Sequence, residues 1–297
     1  MEAGSIVERP DGVLAEDADR AELRAHLHGL WAAVAPAWGE HAEYVDARAA
    51  GITAAMLDRA RPQPGERVLE LACGAGGAGL AAAALVAPEG EVTLSDVAAE
   101  MTAIAAGRAR ALGIGNVRTL LLDLEDIAQP DGSYDVVLCR EGLMFATDHA
   151  AAAREVARVL RPGGRVAIAV WGPRERNPWL GLVFDAVSAQ VGRPVPPPGV
   201  PTPFSLGDEG RLRALLVGAG LRDVRIGAVP TPLRAGSFEE WWARTSALAG
   251  PLAKILGCLP DEAKRALVAG LRETVAPYVT AAGIEVPGVT LIASAQR

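Results

Sequence analysis

The residues best suited to chemistry lie in a glycine-rich segment near the start of the central third of the chain. The pattern Gly74-x-Gly76-x-x-Gly79 follows the apolar run 68–71 and leads into a segment rich in Ala and Leu. Glycines let the backbone turn tightly and approach a ligand closely, because no Cβ intervenes. A helix that begins there would offer unpaired N–H groups and the positive end of its dipole to that ligand. The pattern therefore predicts a site for a nucleotide-type cofactor.

Two kinds of cofactor compete for this segment. The glycine spacing matches the G-x-G-x-x-G pattern of dinucleotide sites, and Asp96 lies where an acidic residue would hold the ribose hydroxyls of NAD or FAD. Glu70 would repel a pyrophosphate, but it suits the ammonium and sulfonium groups of S-adenosylmethionine (SAM). A tight turn without a ligand is a third alternative, since such turns are common in a chain with 33 glycines.

A further carboxylate favours SAM. Asp123 follows the third predicted strand, 117–122, where it could accept a hydrogen bond from the adenine amino group. Glu70, Asp96 and Asp123 thus stand near the ends of three successive predicted strands. In an open parallel α/β sheet, ligands bind at the carboxyl ends of the strands.

Five motifs then occur in the order expected of one known family. They are Glu70-x-Ala72-Cys73-Gly74-x-Gly76, Leu94-Ser95-Asp96, Asp-Leu-Glu-Asp at 123–126, Asp-Gly-Ser-Tyr-Asp-Val-Val at 131–137 and Arg-Val-Leu-Arg-Pro-Gly-Gly-Arg at 158–165. Over residues 65–172 the chain resembles class I SAM-dependent methyltransferases, in particular the ubiquinone/menaquinone-biosynthesis C-methyltransferases. This resemblance implies SAM as the cofactor and an α/β fold: a Rossmann-like, seven-stranded, mostly parallel sheet with helices on both faces and a helical lid.

The resemblance also implies how the cofactor is held. Arg140 stands beside the methionine part of the cofactor, where these enzymes commonly carry a small or polar residue, and an Arg could pair with the cofactor carboxylate. The alternative is an ion pair of Arg140 with Glu141 or with surface charges. The predicted cofactor-binding residues are Glu70, Ala72, Gly74, Gly76, Asp96, Val97, Met101, Asp123, Leu124 and Arg140; no metal site is predicted.

Composition narrows the class of protein. The 297 residues are 50% hydrophobic and 22% charged, which is typical of soluble globular proteins. The formal net charge of −7 argues against a nucleic-acid partner, because such proteins normally carry a basic surface. Three scattered cysteines predict neither a disulfide framework nor a zinc site. We find no signal-peptide pattern and no apolar run of bilayer length, so we expect a cytoplasmic protein.

Strand and helix patterns alternate through the middle of the chain. Strands are predicted at 67–72, 91–96, 117–122, 134–140, 165–171, 222–229 and 287–295, and helices at 77–87, 98–112, 148–160, 178–191 and 208–219. Such alternation predicts parallel βαβ units with right-handed crossovers. By family resemblance, the last strand should insert antiparallel beside the sixth.

The flanks of this core have a different character. We predict a flexible tail at 1–18, a helical lid at 19–62 in which Pro36 ends the first helix, and the SAM-binding core at 63–172. Residues 173–297 would supply substrate-side helices, a Pro-rich loop and the completing strands. The stretch 192–204 holds six prolines in thirteen residues, as either a surface connector or a rigid wall of the substrate pocket.

Methyl transfer from a sulfonium is an in-line displacement, so the enzyme mainly aligns the reactants and excludes water. A general base is required only if the nucleophile must lose a proton. His41 and Glu141 are the candidates for that base. Tyr44 is a third candidate, as a hydroxyl donor or an aromatic ring facing the sulfonium. The six tryptophans lie in the flanks or at a strand end, where they would line an apolar site or pack the core.

The sequence as a whole predicts a SAM-dependent methyltransferase. The methyl acceptor would be carbon or oxygen of a small, fairly apolar metabolite, since aromatic side chains in such pockets suit a hydrophobic molecule. An NAD(P)-dependent oxidoreductase and a non-catalytic SAM-binding protein are the alternatives. The oligomeric state is left open, a homodimer being one option.

Overall fold

The computed structural model describes residues 17–297. Its strands are β1 (Arg67–Leu71), β2 (Glu91–Asp96), β3 (Val117–Leu121), β4 (Tyr134–Arg140), β5 (Leu160–Trp171), β6 (Arg222–Pro230), β7 (Leu233–Ala235), β8 (Val279–Thr280), β9 (Gly283–Val286) and β10 (Val289–Gln296). Its α-helices are α1 (Asp17–Glu40), α2 (Ala42–Arg48), α3 (Ala50–Ala60), α4 (Gly77–Val86), α5 (Ala99–Ala111), α6 (His149–Val159), α7 (Pro178–Val191), α8 (Glu209–Gly218), α9 (Phe238–Leu248), α10 (Pro251–Cys258) and α11 (Asp261–Val275).

Seven strands form the main sheet in the order β3-β2-β1-β4-β5-β10-β6. The pairs from β3 to β5 are parallel, so the carboxyl ends of these strands meet at one edge. Strand β10 lies antiparallel between β5 and β6, with Thr290 opposite both Trp171 and Val229. The prediction of a seven-stranded, mostly parallel sheet with a reversed last strand is confirmed.

Alternate residues of the central strands face opposite layers of helices. Leu69 and Leu71 of β1 belong to one buried cluster with Val156 of α6, whereas Val68 belongs to another with Met56 of α3. Side chains two apart on a strand share a face, so each strand needs apolar residues at every position when helices cover both sides. This explains the continuous apolar runs of the core strands.

The prediction that Pro36 ends the first helix is wrong, because α1 continues through Pro36 to Glu40. Proline removes one backbone hydrogen bond and crowds the preceding turn. The residues around it nevertheless pack on the start of α5: Val34 and Ala35 are buried with Met101, and Trp38 lies against this cluster. Tertiary packing outweighs the local cost of the proline. The predicted tail 1–18 lies outside the described residues apart from Asp17 and Ala18, which begin α1.

The last third of the chain adds a separate layer over the carboxyl edge. Helices α7, α9, α10 and α11 share a third buried cluster with the small sheet β7-β9-β8, around Trp241 and Leu271. The sequence patterns do not predict these three strands, which are only two to four residues long. Phe204, at the end of the Pro-rich stretch, packs against this cluster and the main core. Within residues 17–297, no helix is both long enough and apolar enough to span a bilayer.

Candidate functional site

A cavity opens at the carboxyl edge of the sheet. The segments that follow β1, β2, β3 and β4 form its floor, and side chains of α1 close one side. Eight of the ten predicted cofactor-binding residues line it, namely Ala72, Gly74, Asp96, Val97, Met101, Asp123, Leu124 and Arg140. Glu70 and Gly76 do not line it. The fold thus brings together residues that lie up to 68 positions apart in sequence.

The loop after β1 depends on its glycines for two different reasons. Gly74 and Gly76 adopt positive φ angles of 52° and 87°, which residues with a Cβ rarely adopt. Gly79, in the first turn of α4, is instead needed for close packing. A Cβ there would lie 2.2 Å from Leu94 Cδ2 and 2.6 Å from Glu70 Oε2. The glycine pattern therefore holds α4 close against β1 and β2.

Glu70 lies behind this loop, with only 1% of its surface exposed. Its Oε2 accepts a hydrogen bond of 2.7 Å from the backbone N–H of Gly79. Burial raises the pKa of Glu70 to about 7, although the Arg140 charge and the Gly79 N–H act in the opposite direction. The prediction that Glu70 faces the positive groups of the cofactor thus requires correction: a side chain buried behind the loop supports α4 and does not reach the cavity.

Asp96 ends β2 and faces the cavity. Its Oδ2 accepts from Gly74 N at 2.9 Å, and its Oδ1 accepts from Ala98 N at 3.0 Å. Burial raises the pKa of Asp96, and the backbone hydrogen bonds partly counter this effect. Each oxygen of a carboxylate can accept more than one hydrogen bond, so both can still receive a hydroxyl donor. Val97 and Met101 form the apolar wall next to it.

Asp123 follows β3 and is reached by two side chains of α1. Its Oδ2 accepts from Arg24 Nε at 2.5 Å and lies 3.1 Å from His28 Nε2. Burial alone would raise the pKa of Asp123, but the hydrogen bonds from His28 and Arg24 outweigh it and lower the pKa to about 2. Neither Arg24 nor His28 is predicted from the sequence as a site residue. The polar pattern of α1 gives no signal that these two side chains face a strand end.

Arg140 ends β4 and lines the cavity with Ala72 and Gly142. Its Nη1 donates to Thr53 Oγ1 at 2.8 Å, and its Nη2 lies 3.4 Å from Asp46 Oδ1. Asp46 also binds Arg108 at 2.5 Å. Arg140 does not pair with Glu141; its ionic partner is the partly exposed Asp46 of α2, which agrees with the second part of the alternative, a pair with another charge.

Glu141, the next residue, belongs to a different network. It has a positive φ of 58°, which is strained for a residue with a side chain. Its Oε2 accepts from Arg48 Nη2 at 2.5 Å, and Thr290 Oγ1 lies 3.4 Å from its Oε1. The Arg48 guanidinium lies 4.9 Å from the centre of the Trp171 ring. Arg48 Nη1 is buried and has no hydrogen-bond partner within residues 17–297.

His41 and Tyr44, the other two catalytic candidates, lie outside the cavity lining. His41 precedes α2 and makes no side-chain cap to it. The Tyr44 ring lies 4.1 Å from the Arg244 guanidinium of α9. Burial raises the pKa of Tyr44 despite the nearby Arg48 and Arg244 charges. Of the three candidates, only Glu141 faces the cavity.

Aromatic side chains form the wall opposite the strand ends. The Trp31 ring lies 5.0 Å from that of Phe145 and 6.3 Å from that of Trp38. Trp38 covers Gly74 and donates from Nε1 to the Leu248 carbonyl at 3.2 Å. The predicted apolar wall therefore includes Trp31 and Trp38, whereas Trp241 is fully buried in the third cluster.

These surfaces fit SAM better than a dinucleotide. The carboxylates Asp96 and Asp123 offer acceptors for hydroxyl and amino groups, and Met101 and Leu124 offer apolar contact for a purine. The cavity also contains Glu125 and Glu141, whose charges would oppose a pyrophosphate. The donor and acceptor set therefore agrees with a cofactor that carries a positive charge.

Comparisons with known proteins point to the same family. Residues 68–164 match the model of a methyltransferase domain. Over 127 residues the chain is 37% identical to the ubiquinone/menaquinone biosynthesis C-methyltransferase UbiE of Ectopseudomonas mendocina, covering 42% of this chain and 49% of that protein. Over 143 residues it is 34% identical to nocamycin O-methyltransferase of Saccharothrix syringae, covering 46% of this chain and 51% of that protein.

The alignments thus span about half the length of these curated relatives. The fold also resembles the crystal structure of the YcgJ protein from Bacillus subtilis, with a TM-score of 0.56 at 22% identity over 82% of this chain and 97% of that one. The match at 68–164 coincides with the strand ends that line the cavity. Residues 68–164 thus match a methyltransferase domain, and this similarity supports the prediction of a class I SAM-dependent methyltransferase with SAM as its cofactor.

Proposed function

We propose that this chain is a SAM-dependent methyltransferase that methylates carbon or oxygen of a small, fairly apolar molecule. One observation carries the proposal: the ends of four parallel strands and an aromatic wall face each other across a single cavity. We name its two regions. The nucleoside end consists of Asp96, Val97, Met101, Asp123 and Leu124. The acceptor end consists of Trp31, Trp38, Phe145 and Glu141, with Arg48 behind Glu141.

At the nucleoside end, each side chain has a role that its chemistry supports. Asp96 would accept hydrogen bonds from the ribose hydroxyls, and Asp123 would accept one from the adenine amino group. Met101 and Leu124 would contact the faces and edge of the base. Arg140 would attract the methionine carboxylate, because it lies at the end of β4 within the cavity. Gly74 would let the loop approach the cofactor closely.

SAM supplies an activated methyl group on a sulfonium. The protein's main contribution is then alignment of the acceptor and exclusion of water, which can be worth about 7–11 kcal/mol. Trp31, Trp38 and Phe145 would bind a flat or apolar acceptor and keep water out. Positive charge near these rings would also be stabilised by their faces.

Glu141 is the residue best placed to take a proton from the acceptor. It is the only one of our three catalytic candidates that lines the cavity. Arg48 and Thr290 would hold its carboxylate in place. A base of this kind contributes about a hundredfold or more where the nucleophile must be deprotonated. His41 and Tyr44 lie outside the lining, and we assign them no role in the transfer.

The nature of the acceptor is supported by the cavity and by the relatives. The aromatic wall favours an apolar molecule, and the two relatives described above are a C-methyltransferase and an O-methyltransferase. An acidic chain is a poor match for nucleic acid, so a small molecule is the better partner. A cytoplasmic location stays a prediction from the sequence.

Calorimetry and a transfer assay test this proposal. We expect S-adenosylhomocysteine (SAH) to bind and NAD not to bind, because the cavity carboxylates oppose a pyrophosphate. SAM with a labelled methyl group should then label a fraction of a metabolite extract. Binding of NAD without SAH would contradict the proposal. Binding of SAH with no labelled fraction would instead favour a non-catalytic SAM-binding protein.

A further inference from the structure

Helix α1 places two basic side chains on the carboxylate at the nucleoside end. Arg24 and His28 are four residues apart, so they lie on the same face of the helix. Arg24 Nε is 2.5 Å from Asp123 Oδ2, and His28 Nε2 is 3.1 Å from the same oxygen. Both side chains also line the cavity. Asp123 therefore receives its side-chain partners from a helix that lies far from it in sequence.

Within residues 17–297, these contacts leave one acceptor position of the Asp123 carboxylate free. Oδ1 accepts a hydrogen bond of 2.8 Å from Glu125 N. A carboxylate has about four acceptor positions, two on each oxygen. Arg24 and His28 use both positions on Oδ2, and Glu125 uses one on Oδ1. The single position that is left lies on Oδ1 and suits one incoming N–H donor.

The same contacts favour the ionised form of this carboxylate. Against the effect of burial, the hydrogen bonds from His28 and Arg24 lower the pKa of Asp123 to about 2. At neutral pH the side chain is thus ionised and accepts hydrogen bonds but donates none. An exocyclic amino group on a purine satisfies such an acceptor. An oxo group at the same position would place its lone pairs against a negative charge.

We infer that Arg24 and His28 are positioning residues that make Asp123 select a purine with an amino group over one with an oxo group. The inference rests on the proposed function, because it assumes that this cavity binds the adenosyl part of the cofactor. The specificity for adenine then depends on α1 as well as on the strand ends. Both side chains act through Asp123. They hold Oδ2 and leave one acceptor position on Oδ1 for the ligand.

The position of α1 does not rest on this ion pair alone. Val34 and Ala35 are buried against the start of α5, and Trp31 packs on Phe145 at 5.0 Å. A second ion pair joins Arg20 to Asp148 at 3.2 Å and helps to hold the start of the helix in place. Substitution of Arg24 should therefore leave α1 in place. Arg20 offers a matched control, since it lies on the same helix and outside the cavity lining.

The test compares two ligands by calorimetry: SAH, which carries adenine, and S-inosyl-L-homocysteine, which carries hypoxanthine. Loss of a hydrogen bond to a charged group should make the wild-type protein prefer SAH by at least about thirtyfold. Arg24→Gln and His28→Ala should each reduce this preference by about fivefold or more. Asp123→Asn should remove most of it, because an amide can donate to an oxo group. Arg20→Gln should leave the preference for SAH unchanged. Arg24→Lys should retain more of this preference than Arg24→Gln does.

The ratio of the affinities for SAH and S-inosyl-L-homocysteine shows whether Arg24 positions Asp123 or only covers the site. If Arg24→Gln weakened both ligands equally, α1 would only cover the site, and the inference would be wrong. Tighter SAH binding by Arg24→Gln would show instead that Arg24 blocks the base, which also contradicts it. Failure of the wild-type protein to bind SAH would overturn the proposed function itself. Melting curves of each variant check that the fold is intact.

Discussion

The two ends of the cavity satisfy their polar groups in different ways. At the nucleoside end, the Asp96 oxygens accept backbone N–H groups, and Asp123 is held by Arg24, His28 and a backbone N–H. At the acceptor end, Glu141 has one short ion pair and one contact at 3.4 Å. There, Arg48 Nη1 is buried without a partner in the described part of the chain. Most polar atoms of the carboxylates at the nucleoside end therefore have hydrogen-bond partners, whereas the acceptor end contains a buried donor without one among the described residues.

The nucleoside end depends largely on backbone groups that the fold provides, whereas the acceptor end depends on the particular side chains of this sequence. The backbone N–H groups at the nucleoside end come from turns next to strand ends, so any chain with this sheet and these turns can build them. The acceptor end combines α1, α2, β4, β5 and β10, which meet only in the folded protein. An unpaired buried donor costs about 1–3 kcal/mol, so Arg48 Nη1 is a polar group that the described part of the fold leaves unsatisfied.

The largest effect should come from the packing beneath the nucleoside end. Gly79→Ala puts a Cβ 2.2 Å from Cδ2 of the fully buried Leu94, so either that side chain or α4 must move. We expect the free energy of unfolding to fall by about 2–4 kcal/mol and SAH binding to be lost. Gly107→Ala in α5 is the control, because its nearest contact would be 3.8 Å away. Urea unfolding should show it unchanged or slightly more stable; equal stability of both variants would contradict the packing argument.

Glu141→Gln should break the acceptor end alone. The rate of methyl transfer to the labelled extract fraction should fall about a hundredfold, because an amide cannot take a proton. SAH affinity should stay within about twofold of the wild type, since Glu141 lies outside the nucleoside end. Glu43→Gln, at an exposed position on α2, should retain full activity. An unchanged rate in Glu141→Gln would remove Glu141 from the mechanism.

Asp96→Ala should impair cofactor binding at the nucleoside end without changing the acceptor end. Removing acceptors for the ribose hydroxyls should weaken SAH binding by about 1–3 kcal/mol, measured by calorimetry. At saturating SAM, we expect a smaller effect on the rate than in Glu141→Gln. Asp58→Ala, at an exposed position on α3, is the control for loss of one carboxylate. Unaltered SAH affinity in Asp96→Ala would show that the ribose lies elsewhere.

A smaller, pH-dependent effect should come from Glu70 behind the loop. Its pKa is raised from 4.5 to about 7 by burial, so the folded state holds a proton that the unfolded state has already lost. The resulting stabilisation is complete below about pH 4.5 and is lost as the pH rises through 7. Relative to Glu70→Gln, the wild-type protein should lose about 1 kcal/mol per pH unit between pH 5 and 7. Urea unfolding at several pH values measures this slope, and parallel curves for the two proteins would contradict it.

The sequence is a good guide to the centre of the sheet because β1, β4 and the second half of β5 are near-continuous apolar runs. The acidic residues Asp96 and Asp123 stand at the ends of predicted strands, so their convergence at one edge can be predicted from parallel topology alone. The prediction that Glu70 contacts the cofactor assumes that a carboxylate within a strand faces a ligand or solvent. Here it faces the N–H groups of the next helix.

The helical cover is harder to predict because its contacts are long-range. No local pattern shows that Arg24 and His28 reach Asp123, or that Arg48 reaches Glu141, about 100 residues away in each case. Pro36 breaks the local rule for helices, and only packing against α5 explains why α1 continues. The short strands β7, β8 and β9 are likewise held by tertiary contacts rather than by their own sequence pattern.

A crystal structure of the chain with SAH tests the division of the cavity most directly. Our account predicts ribose hydroxyls on Asp96, the adenine amino group on Asp123 Oδ1, and the sulfur directed toward Glu141 and the aromatic wall. A ligand whose sugar and base contact neither aspartate, or whose sulfur points away from Glu141, would contradict it.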